Sequence, residues 1–180
     1  LFSLKLVNQS LKSCQGIAVD NVELTLTTQN KVFTEHGRVL ITHWGLSGPA
    51  ILYLSAFAAR NLYDQSYKAK LYVNWVGADI DLVKQKFNQL RHKSGKNTIL
   101  KSRPFPLIPK RLWSNLLIKA GIDASTNWAN LTTLNERNLI QLLLNSSFDI
   151  QGRGPFGEEF VTAGGIDLKE VNFSKMESNL

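Results

Sequence analysis

The segment from Thr42 to Ala50 (THWGLSGPA) holds the residue types best suited to chemistry. A predicted strand ends there, glycines turn the chain, and Ser47-Gly48-Pro49 suits a helix start. Free N–H groups and the helix dipole at such a start can bind an anion or a carbonyl oxygen. His43 could donate a proton, because its charge changes near neutral pH. A tight strand-to-helix turn without a ligand explains the same residues, so both interpretations stay open.

A second turn, Phe160 to Ile166 (FVTAGGI), follows another predicted strand. Its paired glycines, Gly164 and Gly165, allow unusual backbone angles and the close approach of a flat ligand. Thr162 adds a small hydroxyl group beside Ala163. An ordinary turn is the alternative interpretation of this segment.

The segment from Gly152 to Gly157 (GRGPFG) matches the letters of the GxGxxG dinucleotide fingerprint. That fingerprint needs a preceding strand and a following helix, so that the phosphate meets the helix N-terminus. Here Pro155 lies inside the motif, and the strand pattern Glu159-Phe160-Val161 follows it. We therefore interpret these glycines as a flexible hairpin loop and not as a cofactor site.

Other common kinds of site find no support in the sequence. The histidines lack companion ligands at metal-binding spacing, and we predict no metal site. No Ser/His/Asp set, nucleophile elbow or paired carboxylates can be identified. The single cysteine, Cys14, cannot form an internal disulfide. It could be a nucleophile, but a structural thiol is the favoured interpretation.

The formal charge of +7 is concentrated between Leu82 and Ile122, where ten basic residues occur without an Asp or Glu. They are Lys84, Lys86, Arg91, Lys93, Lys96, Lys101, Arg103, Lys110, Arg111 and Lys119. Such a block could attract nucleic acid electrostatically. It lacks regularly placed aromatic residues for base stacking. A solvated helical surface is therefore the favoured interpretation.

Strand patterns occupy both ends of the chain. Alternating apolar residues predict strands over Leu1–Val7, Asn21–Thr27 and Lys68–Trp75. Lys31–Thr34 and Arg38–Thr42 look like two short strands joined by a turn at Glu35-His36-Gly37. Further strands are predicted after Ser147, and the last of them spans Ile166–Val171. Together these segments predict a β-rich module.

Helical spacing fills the middle of the sequence. One helix is predicted from Pro49 to about Leu62, one over Asp79–Lys93 and one after Pro109. A fourth starts at Thr133, where Thr133-Leu134-Asn135-Glu136 has the pattern of a capping box. The predicted fold class is α+β, a barrel module of residues 1–76 and 147–180 with a small helical domain of residues 77–146 inserted.

Composition and the lack of targeting signals bear on the class of protein and its cellular location. The hydrophobic share of 43% and charged share of 19% are those of an ordinary globular protein. We find no signal peptide and no apolar run that could span a membrane, which favours a cytoplasmic protein without a membrane partner. The chain starts at Leu1 without an initiator methionine. An excised fragment would explain that start, and so would proteolysis.

The segments Ile41–Ala50, Val161–Ile166 and Met176–Ser178, in that order around a helical stretch, resemble the BaiN-like (YhiN-type) NAD(P)/FAD-dependent oxidoreductase family. The segment Lys110–Trp113 is also similar to that family. The resemblance implies a translation-factor-like barrel and a helical domain, inserted together into an FAD-binding domain. Lys175-Met176-Glu177-Ser178-Asn179 departs from the Thr-Met-Glu-Ser-Lys that is usual in that family.

The resemblance also implies a function. The parent protein would be an FAD-dependent oxidoreductase acting on a small-molecule substrate, with NAD(P)H as a candidate reductant. Thr162, Ala163, Gly164 and Gly165 would lie near the flavin, while Thr42, His43 and Ser47 would border the substrate cleft. The remaining FAD-binding domain would be the partner of this chain, which alone would bind no cofactor and catalyse nothing. The alternative is a basic nucleic-acid-binding module, although nucleic acid is not expected as a partner.

Overall fold

A six-stranded antiparallel barrel forms the body of the chain. A computed structural model describes residues 1–8, 10–29, 31–154 and 165–179. Within these residues the barrel closes in the order β1-β4-β3-β2-β5-β6. Its strands are β1 (Leu4–Leu6), β2 (Ala18–Thr27), β3 (Val32–Ile41), β4 (Gly45–Ser47), β5 (Ala69–Asn74) and β6 (Ser146–Arg153). The predicted α+β class, a barrel with a helical part, is confirmed.

The barrel interior follows from the period of two in the strand sequences. On β2, Leu24 and Leu26 are fully buried, while Glu23 points outward. On β5, Leu71 and Val73 are likewise fully buried. Alternation of this kind places one face of each strand in a common apolar core, as predicted.

The predicted turn at Glu35-His36-Gly37 is wrong, because β3 runs unbroken from Val32 to Ile41. Its partner β2 is equally long and pairs with it from Thr27 back to Ala18. Gly37 has φ 147 and pairs with Val22, next to a bulge in β2. A glycine in a strand opposite a bulge gives the same sequence pattern as a glycine in a turn, which explains the wrong prediction.

The helices begin close to the predicted positions. They are α1 (Pro49–Phe57), α2 (Ala59–Asp64), α3 (Ile80–Ser94), α4 (Lys110–Lys119) and α5 (Thr133–Leu144). The side chain of Asp79 caps α3 by accepting from the backbone N–H of Leu82 at 2.8 Å. The predicted helix from Pro49 to Leu62 is instead two helices, which Ala58 separates.

The predicted capping box at α5 is displaced by one residue. The cap is Thr132, whose hydroxyl oxygen accepts from the backbone N–H of Asn135 at 3.2 Å. The carboxylate of Glu136 turns instead to Arg91 on α3, at 2.6 Å. Two threonines are adjacent in the sequence, and the first of them is the cap. Glu136 does not close a capping box because its carboxylate pairs with Arg91, outside its own helix.

Helices α3, α4 and α5 lie between β5 and β6 in the sequence. The backbone N–H of Trp75, just after β5, donates to the carbonyl of Leu143 near the end of α5 at 2.8 Å. The buried residues of the barrel and of the helices form one continuous cluster. The domain boundaries at residues 77 and 146 stay predictions.

The segment after β6 differs from the predicted strands. Ile166–Val171 is not a strand, because residues 168–170 form a 3-10 turn that Asp167 caps. Two short strands, β7 (Val171–Asn172) and β8 (Glu177–Ser178), pair there. The predicted strand Glu159-Phe160-Val161 lies outside the described residues.

Candidate functional site

The predicted cleft residues lie at one corner of the barrel, in the turn between β3 and β4. Thr42 closes this turn twice: its N–H donates to the carbonyl of Gly45 at 2.9 Å, and its hydroxyl accepts from the Gly45 N–H at 3.1 Å. A Cβ on residue 45 would lie 2.1 Å from the carbonyl oxygen of Leu4. The tight turn therefore depends on glycine at this position.

Ser47 ends β4 and faces the first residues of the chain. The hydroxyl of Ser3 donates to the hydroxyl of Ser47 at 2.8 Å. Gly48 follows with φ 95, and a Cβ there would come within 2.9 Å of the Leu40 backbone nitrogen. The start of α1 is thus packed against β3, which favours the structural interpretation of these glycines.

His43 lies at the tip of the turn and is exposed. Its ring meets the ring of Trp44 edge to face, with centroids 4.0 Å apart. The carbonyl of Trp44 accepts from the Leu6 N–H at 3.0 Å, which ties the turn to β1. His43 is therefore the cleft residue best placed to reach a molecule outside the barrel.

The strand β6 ends at the same corner. The N–H of Gly154 donates to the carbonyl of Ser3 at 2.9 Å, and a Cβ on Gly154 would lie 3.1 Å from the indole nitrogen of Trp44. Gly152 lies inside β6, paired with Lys5. Close packing against Trp44 accounts for Gly154, whereas Gly152 is an ordinary strand position, so the predicted hairpin loop is wrong for Gly152.

The predicted flavin-proximal turn is only partly described. Thr162, Ala163 and Gly164 lie outside the described residues. Gly165 is exposed, and an added Cβ would have open space around it. The cleft that Gly165 is predicted to share with Thr42, His43 and Ser47 stays a prediction.

Four of the ten residues in the basic block contact carbonyls, a carboxylate or a ring. Beside its ion pair with Glu136, Arg91 donates to the carbonyl of Leu131 at 3.4 Å. Arg103 donates to the carbonyl of Ile108, and Arg111 to that of Gln15. The ammonium of Lys86 lies 5.7 Å from the centre of the Phe105 ring. Burial lowers the pKa of Lys119, and Cys14 partly opposes this effect.

Two other members of the block line a pocket formed by the segment that connects α3 to α4. This Lys96–Lys101 pocket is formed by Lys96, Asn97, Thr98, Lys101 and Ser102, and its volume is about 430 Å³. None of these side chains is acidic or aromatic. Among the described residues, neither lysine forms an ion pair. The pocket therefore presents two uncompensated positive charges among neutral polar groups.

The remaining groups offer little chemistry. Cys14 is buried, and its thiol lies 3.7 Å from the carbonyl of Arg111, as a structural cysteine would. No group of three or more His, Cys, Asp or Glu in the described ranges could hold a metal ion. In the same ranges no helix has both the length and the apolar character to cross a membrane.

The comparison with known families decides the relationship. A family model described as "HI0933-like protein barrel and H2TH domain" matches residues 1–161. The chain belongs to this HI0933-like family. The assignment agrees with the barrel and helices described above and confirms the resemblance found in the sequence.

Two curated relatives carry the name "Ribosomal RNA dihydrouridine synthase". The relative from Haemophilus influenzae (strain ATCC 51907 / DSM 11121 / KW20 / Rd) is 31% identical over 144 residues, which is 80% of this chain and 33% of that protein. The relative from Escherichia coli (strain K12) is 28% identical over 171 residues, or 94% of this chain and 39% of that protein. The HI0933-like chain thus spans between a third and two fifths of these relatives' length.

Sequence reasoning missed the pocket, although it found the basic block. The five residues of the pocket occupy a loop whose path depends on hydrogen bonds from two buried tryptophans, Trp113 and Trp128. A signal was nevertheless available. Lys96 and Lys101 flank the polar residues Asn97 and Thr98 in the stretch between two predicted helices.

Proposed function

We propose that this chain is the barrel-and-helical part of a flavin-dependent oxidoreductase that reduces uridine to dihydrouridine in ribosomal RNA. The observation that carries the proposal is the match to the HI0933-like family over residues 1–161, with two relatives named as ribosomal RNA dihydrouridine synthases. The uncompensated lysines of the Lys96–Lys101 pocket support it, because RNA is a polyanion.

Reduction of uridine adds two hydrogens across the C5=C6 double bond, as a hydride equivalent and a proton. In the proposal a bound FAD supplies the redox chemistry and NAD(P)H replenishes it, as the resemblance implies. Gly152 of the GxGxxG match lies within β6, paired with Lys5, and not in the strand-to-helix turn that a dinucleotide fingerprint requires. FAD would therefore be held mainly by the remaining FAD-binding domain of the same polypeptide.

The role of this chain is to shape the site. The corner carrying Thr42, His43 and Ser47 borders the substrate cleft, with the exposed His43 ring available for a polar contact. Residues Thr162 to Gly165 approach the flavin, where small residues leave room for a flat ring. No step of bond making is assigned to a side chain of this chain, and we propose that the isolated chain is inactive.

The proposed substrate replaces the small molecule expected from the sequence. Ribosomal RNA brings a phosphate backbone as well as the reacting base, so a part of the enzyme must hold that backbone. The helical part is suited to this because its basic residues are not balanced by acidic ones in the segment 82–122. We place the enzyme in the cytoplasm, where ribosomal RNA is made in bacteria.

The test uses the complete protein and cells that lack it. Purified complete protein should show the absorbance of an oxidised flavin, whereas the 180-residue chain should not. Mass spectrometry of ribosomal RNA should find a dihydrouridine that disappears when the gene is deleted and returns when it is restored. A complete protein that neither contains nor takes up flavin, or RNA unchanged by the deletion, would refute the proposal.

A second candidate is an RNA-binding module without redox function, favoured by the Lys96–Lys101 pocket alone. It predicts RNA binding by the complete protein with no flavin absorbance and no change in dihydrouridine. The same two measurements therefore separate the candidates.

A further inference from the structure

The two lysines of the Lys96–Lys101 pocket carry positive charges that no acidic side chain of the described residues pairs with. Of the ten basic residues in segment 82–122, four are engaged by carbonyls, a carboxylate or a ring, as described above. Lys96 and Lys101 are both exposed and make no ion pair among the described residues.

The walls of the pocket are held in place by buried tryptophans. The indole N–H of Trp128 donates to the Ser102 hydroxyl at 2.7 Å, and that hydroxyl donates to the carbonyl of Thr98 at 2.9 Å. The indole N–H of Trp113 donates to the carbonyl of Ile99 at 2.9 Å. Both tryptophans are fully buried. The two lysines therefore extend from a fixed loop, which reduces the entropy lost when a ligand binds.

One polar group of the pocket lacks a partner. The hydroxyl oxygen of Thr98 is buried and forms no hydrogen bond within the described residues. A buried hydroxyl in this state costs free energy, and an incoming acceptor oxygen could relieve that cost. Thr98 lines the same pocket as Lys96 and Lys101.

We infer that the Lys96–Lys101 pocket binds the backbone phosphates of RNA, with Lys96 and Lys101 as the charged contacts. A polar lining without aromatic side chains suits a phosphate and its sugar rather than a stacked base. Lysine binds phosphate as a point charge, so the contact is independent of base sequence and serves to position the strand. This inference deepens the proposed function and rests on it for the identity of the polyanion.

The experiment compares the complete protein with its Lys96→Gln/Lys101→Gln variant. The probe is a fluorescent oligouridine of about 20 nucleotides, longer than the roughly 4–16 nucleotides that a single-strand-binding fold covers. Each phosphate contact to a single strand contributes about 0.7 to the slope of log affinity against log salt. Loss of both should weaken binding about 25-fold near 0.1 M salt and reduce the slope by about 1.4.

The matched control is Lys31→Gln/Lys68→Gln, which removes the same charge from two exposed lysines. These lie at the end of the barrel where β2 turns into β3 and β5 begins, whereas α3 leaves from the other end of β5. The control should bind oligouridine within about twofold of the unmodified protein, because salt screens charges that lie more than about 10 Å from the RNA phosphates in the pocket.

A further variant tests the hydroxyl without changing charge. Thr98→Val keeps the shape of the side chain and should weaken binding about threefold to tenfold, as for one lost hydrogen bond of ordinary strength. Thermal unfolding of the lysine variants should match that of the unmodified protein, and Thr98→Val should unfold at the same or a higher temperature because it removes a buried hydroxyl that is unpaired among the described residues. Unfolding of the pocket variants at lower temperature with unchanged RNA affinity would instead show a structural role, and would overturn the inference.

The outcomes separate this inference from the proposed function. If the complete protein makes dihydrouridine but the pocket and control variants bind oligouridine equally well, the inference is wrong and the proposed function stands. If the pocket variant alone loses affinity while no dihydrouridine depends on the protein, the pocket is an RNA site and the proposed function is wrong.

Discussion

Replacement of Gly45 by alanine should break the barrel corner that carries the candidate cleft. A Cβ at this position would lie 2.1 Å from the Leu4 carbonyl oxygen and 3.0 Å from the Leu6 nitrogen, both backbone atoms of β1. Backbone held in a ladder cannot move aside as a flexible side chain does. Strands β1 and β4 must therefore separate for alanine to fit.

The expected cost follows from the interactions lost. Overpacking in a well-packed region costs about 1–3 kcal/mol. Separation of the strands also weakens the hydrogen bond from the Leu6 N–H to the Trp44 carbonyl and the turn bonds of Thr42, at about 1 kcal/mol each. We expect Gly45→Ala to lower the free energy of unfolding by about 3–5 kcal/mol, a large part of the roughly 5–15 kcal/mol of a typical domain.

Gly152→Ala is the matched control, because Gly45 and Gly152 pair with the same residue, Lys5, from opposite sides. A Cβ on Gly152 would meet no atom within 4 Å. This variant should be within about 1 kcal/mol of the unmodified chain, and a reduced entropy of the unfolded state could stabilise it. Urea unfolding followed by tryptophan fluorescence measures both. Equal stability of the two variants would refute the reasoning about β1 and β4.

Two further predictions concern charged groups. Glu136→Gln should lower the free energy of unfolding by about 1–2 kcal/mol, because it leaves the partly buried Arg91 without its carboxylate partner. The control is Asp149→Asn at the more exposed pair with Lys70, which should cost less than about 0.5 kcal/mol. Equal effects of the two substitutions in chemical denaturation would contradict this prediction. Since burial lowers the pKa of Lys119, the unfolded chain binds more protons between that lowered pKa and the ordinary lysine value, and stability should rise with pH across this interval. Lys119→Met should abolish that rise in unfolding experiments at alkaline pH, and an unchanged rise would show that another group causes it.

Local sequence patterns predicted most of the fold because they reflect local physics. Period-two alternation located β2 and β5, and Asp79 was identified as the start of α3. The errors arose where a distant partner decides the structure. The unbroken β3 depends on the bulge in β2, and Glu136 is drawn to Arg91, which lies on another helix.

The candidate sites show the same division. The glycines of the corner were recognised from the sequence, but their reasons are close approaches to β1 and β3 that no local pattern contains. The Lys96–Lys101 pocket depends on Trp113 and Trp128, which reach it from other elements. Charge in a sequence can be counted, whereas its compensation depends on which residues the fold brings together.

The placement of the helices between β5 and β6 also bears on how the barrel closes. These two strands are hydrogen-bonded neighbours, yet about 70 residues separate them, and a loop of that length costs several kcal/mol more entropy to close than a tight turn. The hydrogen bond from Trp75 to Leu143 holds the two ends of this segment together once α5 is packed. The helical part therefore performs the task of a hairpin turn, and its folding sets the register of the last strand of the barrel.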